Sequence, residues 1–105
     1  MEKKYEIILF GATGFTGQLC AKYFKQHYPD LTWAIAGRDK NKLDDINIKF
    51  NLNVDTLVAD GDNLEALRVM AGQAKVILST AGPFARYSDL LVQACVEQGT
   101  HYTDI

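Results

Sequence analysis

An apolar run, Tyr5-Glu6-Ile7-Ile8-Leu9-Phe10, passes directly into Gly11-Ala12-Thr13-Gly14-Phe15-Thr16-Gly17, and a helical pattern begins at once. Strand, glycine turn and helix in that order form the sequence signature of a dinucleotide-binding turn. Gly11 allows a sharp turn off the strand. Gly14, without a Cβ, allows backbone to approach a pyrophosphate. Gly17 allows the helix to lie close to the strand. The free N–H groups of the first helical turn then face the phosphates, and the helix dipole favours their charge. Gly11, Thr13, Gly14, Phe15, Thr16 and Gly17 are the candidate contacts. The Gly-x-x-Gly-x-x-Gly spacing is one residue longer than the common fingerprint. A glycine-rich turn that binds nothing is the alternative reading; the flanking strand and helix meet the context the motif requires.

A chain of 105 residues is one small domain. Its hydrophobic share of 48% is ordinary for a globular protein and argues against disorder. A formal net charge of -2, without a basic run, gives no general attraction to nucleic acid. No metal-ligand cluster or repeat is visible. No apolar segment approaches membrane-spanning length, and Met1-Glu2-Lys3-Lys4 enters a strand without signal-peptide architecture. A cytoplasmic location is the corresponding expectation, with Cys20 and Cys95 as reduced thiols on inward-facing helix positions.

After the glycine turn, Phe15, Leu19, Cys20, Tyr23, Phe24 and Tyr28 repeat at helical spacing. The spacing predicts that this aromatic stripe packs into the core. Pro29-Asp30 closes the helix. Leu31-Thr32-Trp33-Ala34-Ile35-Ala36 reads as a second buried strand ended by Gly37-Arg38-Asp39. Asp39 caps a helix whose inner face is Leu43, Ile46 and Phe50. Residues 54–59 form a third strand ending at Asp60-Gly61. Asp62 or Asn63 caps a helix running to Ala71, with Leu64, Leu67 and Met70 inward and Gly72 as its C-cap. Residues 75–79 are a fourth strand, followed by a loop over residues 80–84. A helix from about Ser88 to Gln98 buries Leu91, Ala94 and Cys95, with Gly99 as its cap. Residues 101–105 are the fifth strand.

Strands alternating with helices at this spacing imply parallel pairing through right-handed crossovers. The expected fold is a doubly wound, Rossmann-like α/β/α sandwich with five parallel strands in the order 3-2-1-4-5. Ligands in such folds bind beyond the carboxyl ends of the strands where the strand order reverses. That rule gathers residues 11–17, Gly37-Arg38, Asp60-Gly61 and residues 80–84 on one rim.

At the end of the second strand, where an NAD site carries an acid, this chain has Gly37-Arg38. A guanidinium offers planar, charge-assisted contacts to a ribose 2′-phosphate, so Arg38 argues for NADP over NAD, with Lys42 as a second cation. Asp39 complicates the reading, because an inward carboxylate favours the hydroxyl; a solvated Arg38 is the alternative. Asp60 either accepts a hydrogen bond from the adenine amino group or fixes the Gly61 turn. Ala81, Gly82 and Pro83 form either a flat wall beside the nicotinamide ribose or a plain strand–helix turn. No catalytic constellation is visible: there is no Tyr-x-x-x-Lys pair, and neither His27 nor His101 sits in a catalytic context.

Gly11-Ala-Thr-Gly-Phe-Thr-Gly17, Ala36-Gly37-Arg38, Ala81-Gly82-Pro83-Phe84, Tyr87, residues 91–95 and residues 99–104 together resemble the amino-terminal domain of saccharopine-dehydrogenase-like oxidoreductases. Trans-acting enoyl reductases are the most similar branch. Ser88 departs from the family, which often has glycine after the tyrosine. The resemblance implies an NADP-binding domain, residues 1–105, of an oxidoreductase whose catalytic and dimerisation region lies beyond it. It implies hydride transfer with a small-molecule substrate held by that absent region. A redox-sensing module that binds NADP without turnover is the rival reading. The 105-residue chain alone is expected to be inactive and to self-associate weakly as a homodimer through an edge strand.

Overall fold

The computed structural model describes residues 3–81 and 85–105, without the side chains of 85–87. Five strands, β1 (Tyr5–Phe10), β2 (Trp33–Gly37), β3 (Asp55–Val58), β4 (Ala74–Ser79) and β5 (His101–Asp104), alternate with four helices. These are α1 (Phe15–His27), α2 (Lys40–Lys49), α3 (Leu64–Ala71) and α4 (Ala85–Gln98). The sheet is parallel with the order β3-β2-β1-β4-β5, as the alternation predicts. Two core clusters lie on opposite faces. One packs Ile8, Ile77, Leu67 and Leu91 between the sheet and α3 and α4. The other packs Leu9, Ile35, Leu43 and Ile46 under α1 and α2. Alternate residues of β1 thus feed opposite cores, as the period of two in a strand requires.

Element boundaries shift slightly from the sequence reading. The second strand starts at Trp33 rather than Leu31, and the fourth helix starts at Ala85 rather than near Ser88. Asn63, not Asp62, caps α3. Gly72 follows α3 in right-handed conformation (φ -64°), so that C-cap does not use glycine's left-handed freedom; Gly99, at φ +66°, does. Leu67 and Met70 are buried as expected, as are Leu91, Ala94 and Cys95 on α4. Both cysteines are unpaired, and burial pushes the Cys95 thiol up to about 11.

The larger correction concerns α1. Most of its expected inward stripe faces out: Phe15 is 82% exposed, and Leu19, Tyr23 and Tyr28 are each about half exposed, while Cys20 and Phe24 of that stripe pack against the core as expected. Gly17 and Ala21 are the buried positions, with Phe24 packed edge-on against Trp33 at 5.3 Å between ring centroids. The cause lies in the glycine turn. A Cβ on Gly17 would stand 2.2 Å from the Gly11 carbonyl oxygen and 2.7 Å from the Ala12 Cα. A helix held that close to the strand has room beneath it only for small residues, so its large side chains project from the outer surface.

Candidate dinucleotide site

At the carboxyl ends of β1, β2, β3 and β4 a cavity of about 440 Å³ opens. It lies where β1 separates two strands that run outward in opposite sequence order, the point at which such sheets bind ligands. Its floor is the turn after β1. Gly11 adopts φ +86°, and a Cβ there would stand 2.7 Å from the Ala81 nitrogen, so both conformation and space demand glycine. The Gly11 and Ala12 N–H groups both donate to the Ala36 carbonyl, at 2.9 and 3.4 Å, tying the turn to β2. Thr80 secures it from the other side. Its N–H donates to the Phe10 carbonyl at 2.8 Å, and its hydroxyl lies 3.1 Å from the Gly11 carbonyl. This strut had no sequence signal, since one threonine after a strand carries no pattern.

Gly14 differs from its two neighbours in the motif. Its φ of -75° is ordinary, and a Cβ would meet only the Gly11 carbonyl oxygen at 3.6 Å, a normal contact. The fold therefore does not require glycine there. The space a Cβ would occupy opens on the cavity that Gly14 lines. The helix that starts here has no side-chain cap, unlike α2 and α3. On α2 the Asp39 carboxylate accepts the Lys42 N–H at 3.2 Å, and on α3 the Asn63 side chain accepts the Ala66 N–H at 3.1 Å. Gly14 offers α1 nothing equivalent, and the first turn of α1 holds no acidic residue. Bare N–H groups, an open Cβ position and no competing carboxylate together suit a pyrophosphate.

The remaining rim residues fall into three groups. Arg38, directly after β2, lines the cavity, is exposed and forms no ion pair among the described residues. Asp39 is committed to capping α2, which removes the competing carboxylate that the sequence left open. Thr13 and Ala81 line the cavity. Asp60 lines it too, and it also builds the turn: its carboxylate accepts the Asp62 N–H at 3.0 Å and its carbonyl the Asn63 N–H at 2.9 Å. Phe15, Thr16, Gly17 and Lys42 do not line the cavity. Gly17 is the helix–strand contact, and Lys42 is exposed on α2, where its backbone N–H rather than its ammonium does the local work. Gly82 and Pro83, like Phe84, lie outside the described residues. Phe10, Gly37, Ala59 and Gly61 complete the lining without side-chain chemistry of their own.

Among the described residues no helix is long and apolar enough to cross a membrane.

Comparison with known proteins gives the family and the fold. Residues 7–105 match the family described as "Saccharopine dehydrogenase NADP binding domain". A trans-acting enoyl reductase of Mycobacterium leprae (strain TN) is 36% identical over 107 residues, covering 99% of this chain and 26% of that protein. The chain thus spans about a quarter of the length of the curated relatives it matches. Saccharopine dehydrogenase (L-Glu forming) from Saccharomyces cerevisiae superposes with a TM-score of 0.79 at 16% identity, over 95% of this chain and 21% of that one. Triphenylmethane reductase of Citrobacter sp., complexed with NADP(H), superposes with a TM-score of 0.77 at 21% identity, over 94% and 36% of the two chains. At such identities the two superpositions speak for the fold alone. The family match reaches from β1 to the last residue, so the chain belongs to the saccharopine dehydrogenase NADP-binding domain family, and NADP is its dinucleotide.

Proposed function

We propose that this domain holds NADPH for hydride transfer to an activated carbon–carbon double bond, as the name of its mycobacterial relatives suggests for them. The bound cofactor would supply the hydride; the chain supplies position and electrostatics. Gly11, Gly14 and the first turn of α1 cradle the pyrophosphate. Arg38 meets the 2′-phosphate, and Asp60 stands at the adenine end. Ala81, after β4, flanks the nicotinamide side. The observation that carries the reading is the pairing of an uncapped helix terminus with an unpaired guanidinium on one cavity.

Substrate recognition and proton delivery belong, in this reading, to polypeptide outside the domain. The only titratable side chains lining the cavity among the described residues are Arg38 and Asp60, and Asp60 is engaged in its turn. Tyr102 donates to Asp104 at 3.0 Å, away from the cavity lining, and burial raises its phenol to about 12, which makes it a poor acid. The purified 105-residue chain is therefore expected to bind NADPH without steady-state oxidation of it when given an enoyl thioester. Sustained turnover in a spectrophotometric assay would show that the chain carries its own proton donor. A sensing module without turnover has no observation in its favour here.

Weak self-association belongs to the same reading. β5 is an edge strand of four residues without lysine or proline, whereas the opposite edge carries Asp55 held by Tyr5 and Lys4. Sedimentation equilibrium is expected to show a dimer only at high concentration. A dimer that survives Thr103→Pro would exclude the β5 edge.

A further inference from the structure

The outer face of α1 is apolar where a surface helix is normally polar. Phe15, Leu19 and Tyr23 stand at positions i, i+4 and i+8, one line along the helix, and are 82%, 50% and 52% exposed. The fold does not need them, because Gly17, Ala21 and Phe24 make the core contacts of α1. Cys20 beside the stripe, and Leu78 on β4, are half-buried members of the margin of the core cluster under α1.

The charge on this helix has one sign. α1 contains Lys22, Lys25 and His27 and no acidic residue, in a chain whose net charge is -2. Neither lysine forms an ion pair among the described residues; Lys22 lies 5.4 Å above the Phe50 ring. We propose that the outer face of α1 is a docking surface for an amphipathic helix of a partner protein, whose apolar stripe is flanked by carboxylates. A second copy of this chain is the poorer occupant. Two α1 helices meeting across a two-fold axis would bring four lysines and no carboxylate to the contact, leaving every charge without an opposite partner there. An acid-flanked helix instead covers Phe15, Leu19 and Tyr23 with its apolar stripe and offers carboxylates to Lys22 and Lys25. Its position would be consequential. Phe15 is the first residue of α1 and follows Gly14, so the partner would sit at the mouth of the cofactor cavity.

The probe is a synthetic helical peptide with leucines repeating at i, i+3, i+4 and i+7 and glutamates on the flanks, compared with the same peptide carrying lysines instead. Nitrogen-15 NMR of the full 105-residue chain reads the response. The glutamate peptide is expected to shift α1 amides and to bind about tenfold more tightly than the lysine peptide, with that advantage shrinking as salt rises. Leu19→Ser and Tyr23→Ser are expected to abolish the response while the native circular dichroism spectrum is retained, since both side chains are half exposed and outside the core contacts of α1. The double variant Lys22→Glu, Lys25→Glu should reverse the peptide preference. Equal binding of the two peptides overturns the proposal, as do shifts confined to other elements. A dimer abolished by Leu19→Ser, or binding to phosphatidylglycerol vesicles without any response to the glutamate peptide, gives the face to another occupant and overturns it as well.

Discussion

Gly14→Val is expected to remove NADP binding while leaving the fold intact, and Gly17→Val is expected to do damage of the opposite kind. At Gly14 a Cβ meets one carbonyl oxygen at 3.6 Å and the backbone is in an extended conformation that valine adopts freely. Nothing in the protein itself resists the substitution. The branched side chain would fill the space through which a pyrophosphate reaches the N–H groups of α1, so titration calorimetry should show affinity reduced about 100-fold or more. That loss corresponds to roughly 2.8 kcal/mol. At Gly17 the added Cβ falls 2.2 Å from the Gly11 carbonyl oxygen, and the three nearest atoms are all backbone. The helix must move off the strand or the strand must bend, and overpacking of this kind costs about 3 kcal/mol. In a domain of this size that lowers the thermal midpoint by roughly 12–24 °C. Circular dichroism melts of the two variants separate the roles. A Gly14→Val protein that binds NADP normally would put the phosphate site elsewhere, and a Gly17→Val protein with an unchanged midpoint would contradict the close helix–strand contact.

That contact also explains which parts of the molecule were legible in the sequence. β1 and β2 could be read as short apolar runs ended by glycine and β3 as one ended by Asp60-Gly61, and alternation with helices leaves few topologies for a parallel sheet. The rim could be read because strand order places the four loops together. Residue-level failures had physical causes. Helical spacing tells which residues share a face, not which face meets the sheet. α1 carries two candidate faces, one of Phe15, Leu19 and Tyr23 and one of Gly17, Ala21 and Phe24, the second sharing Phe24 with the stripe read from the sequence. Hydrophobicity favours the first, yet the close approach at Gly17 selects the second. Lys42 was placed near the phosphate by its distance along the chain. The Asp39 cap fixes where α2 starts through the Lys42 backbone, and the cavity lining does not include Lys42. Asp39 itself, ambiguous in sequence, became clear once its carboxylate was seen on that N–H. Thr80 was legible only as part of a loop, because its task depends on two carbonyls about 70 positions earlier in the chain.

Arg38→Ala is expected to erase most of the preference for NADP over NAD. Three observations bear on the size of the effect. Arg38 follows the last residue of β2, so its backbone is anchored by the sheet while its guanidinium is free of any ion pair among the described residues. No carboxylate competes for the ribose at this position, because Asp39 is held by the α2 cap. Lys42 is not part of the cavity lining. One charge-assisted contact is worth about 1.5–3 kcal/mol, so NADP affinity should fall about 10–150-fold. NAD affinity should be nearly unchanged, because the 2′-hydroxyl gains little from a guanidinium. Arg38→Lys should recover only part of the loss: the charge remains, but the planar fork that grips two phosphate oxygens does not. Arg38 is exposed, so the preference should also weaken as ionic strength rises and the Debye length shortens. Calorimetric titration of both dinucleotides against the three proteins, at low and high salt, measures all of this. If Arg38→Ala weakens NADP and NAD equally, Arg38 is holding the shape of the loop rather than the phosphate; if it weakens neither, the 2′-phosphate is read by another residue.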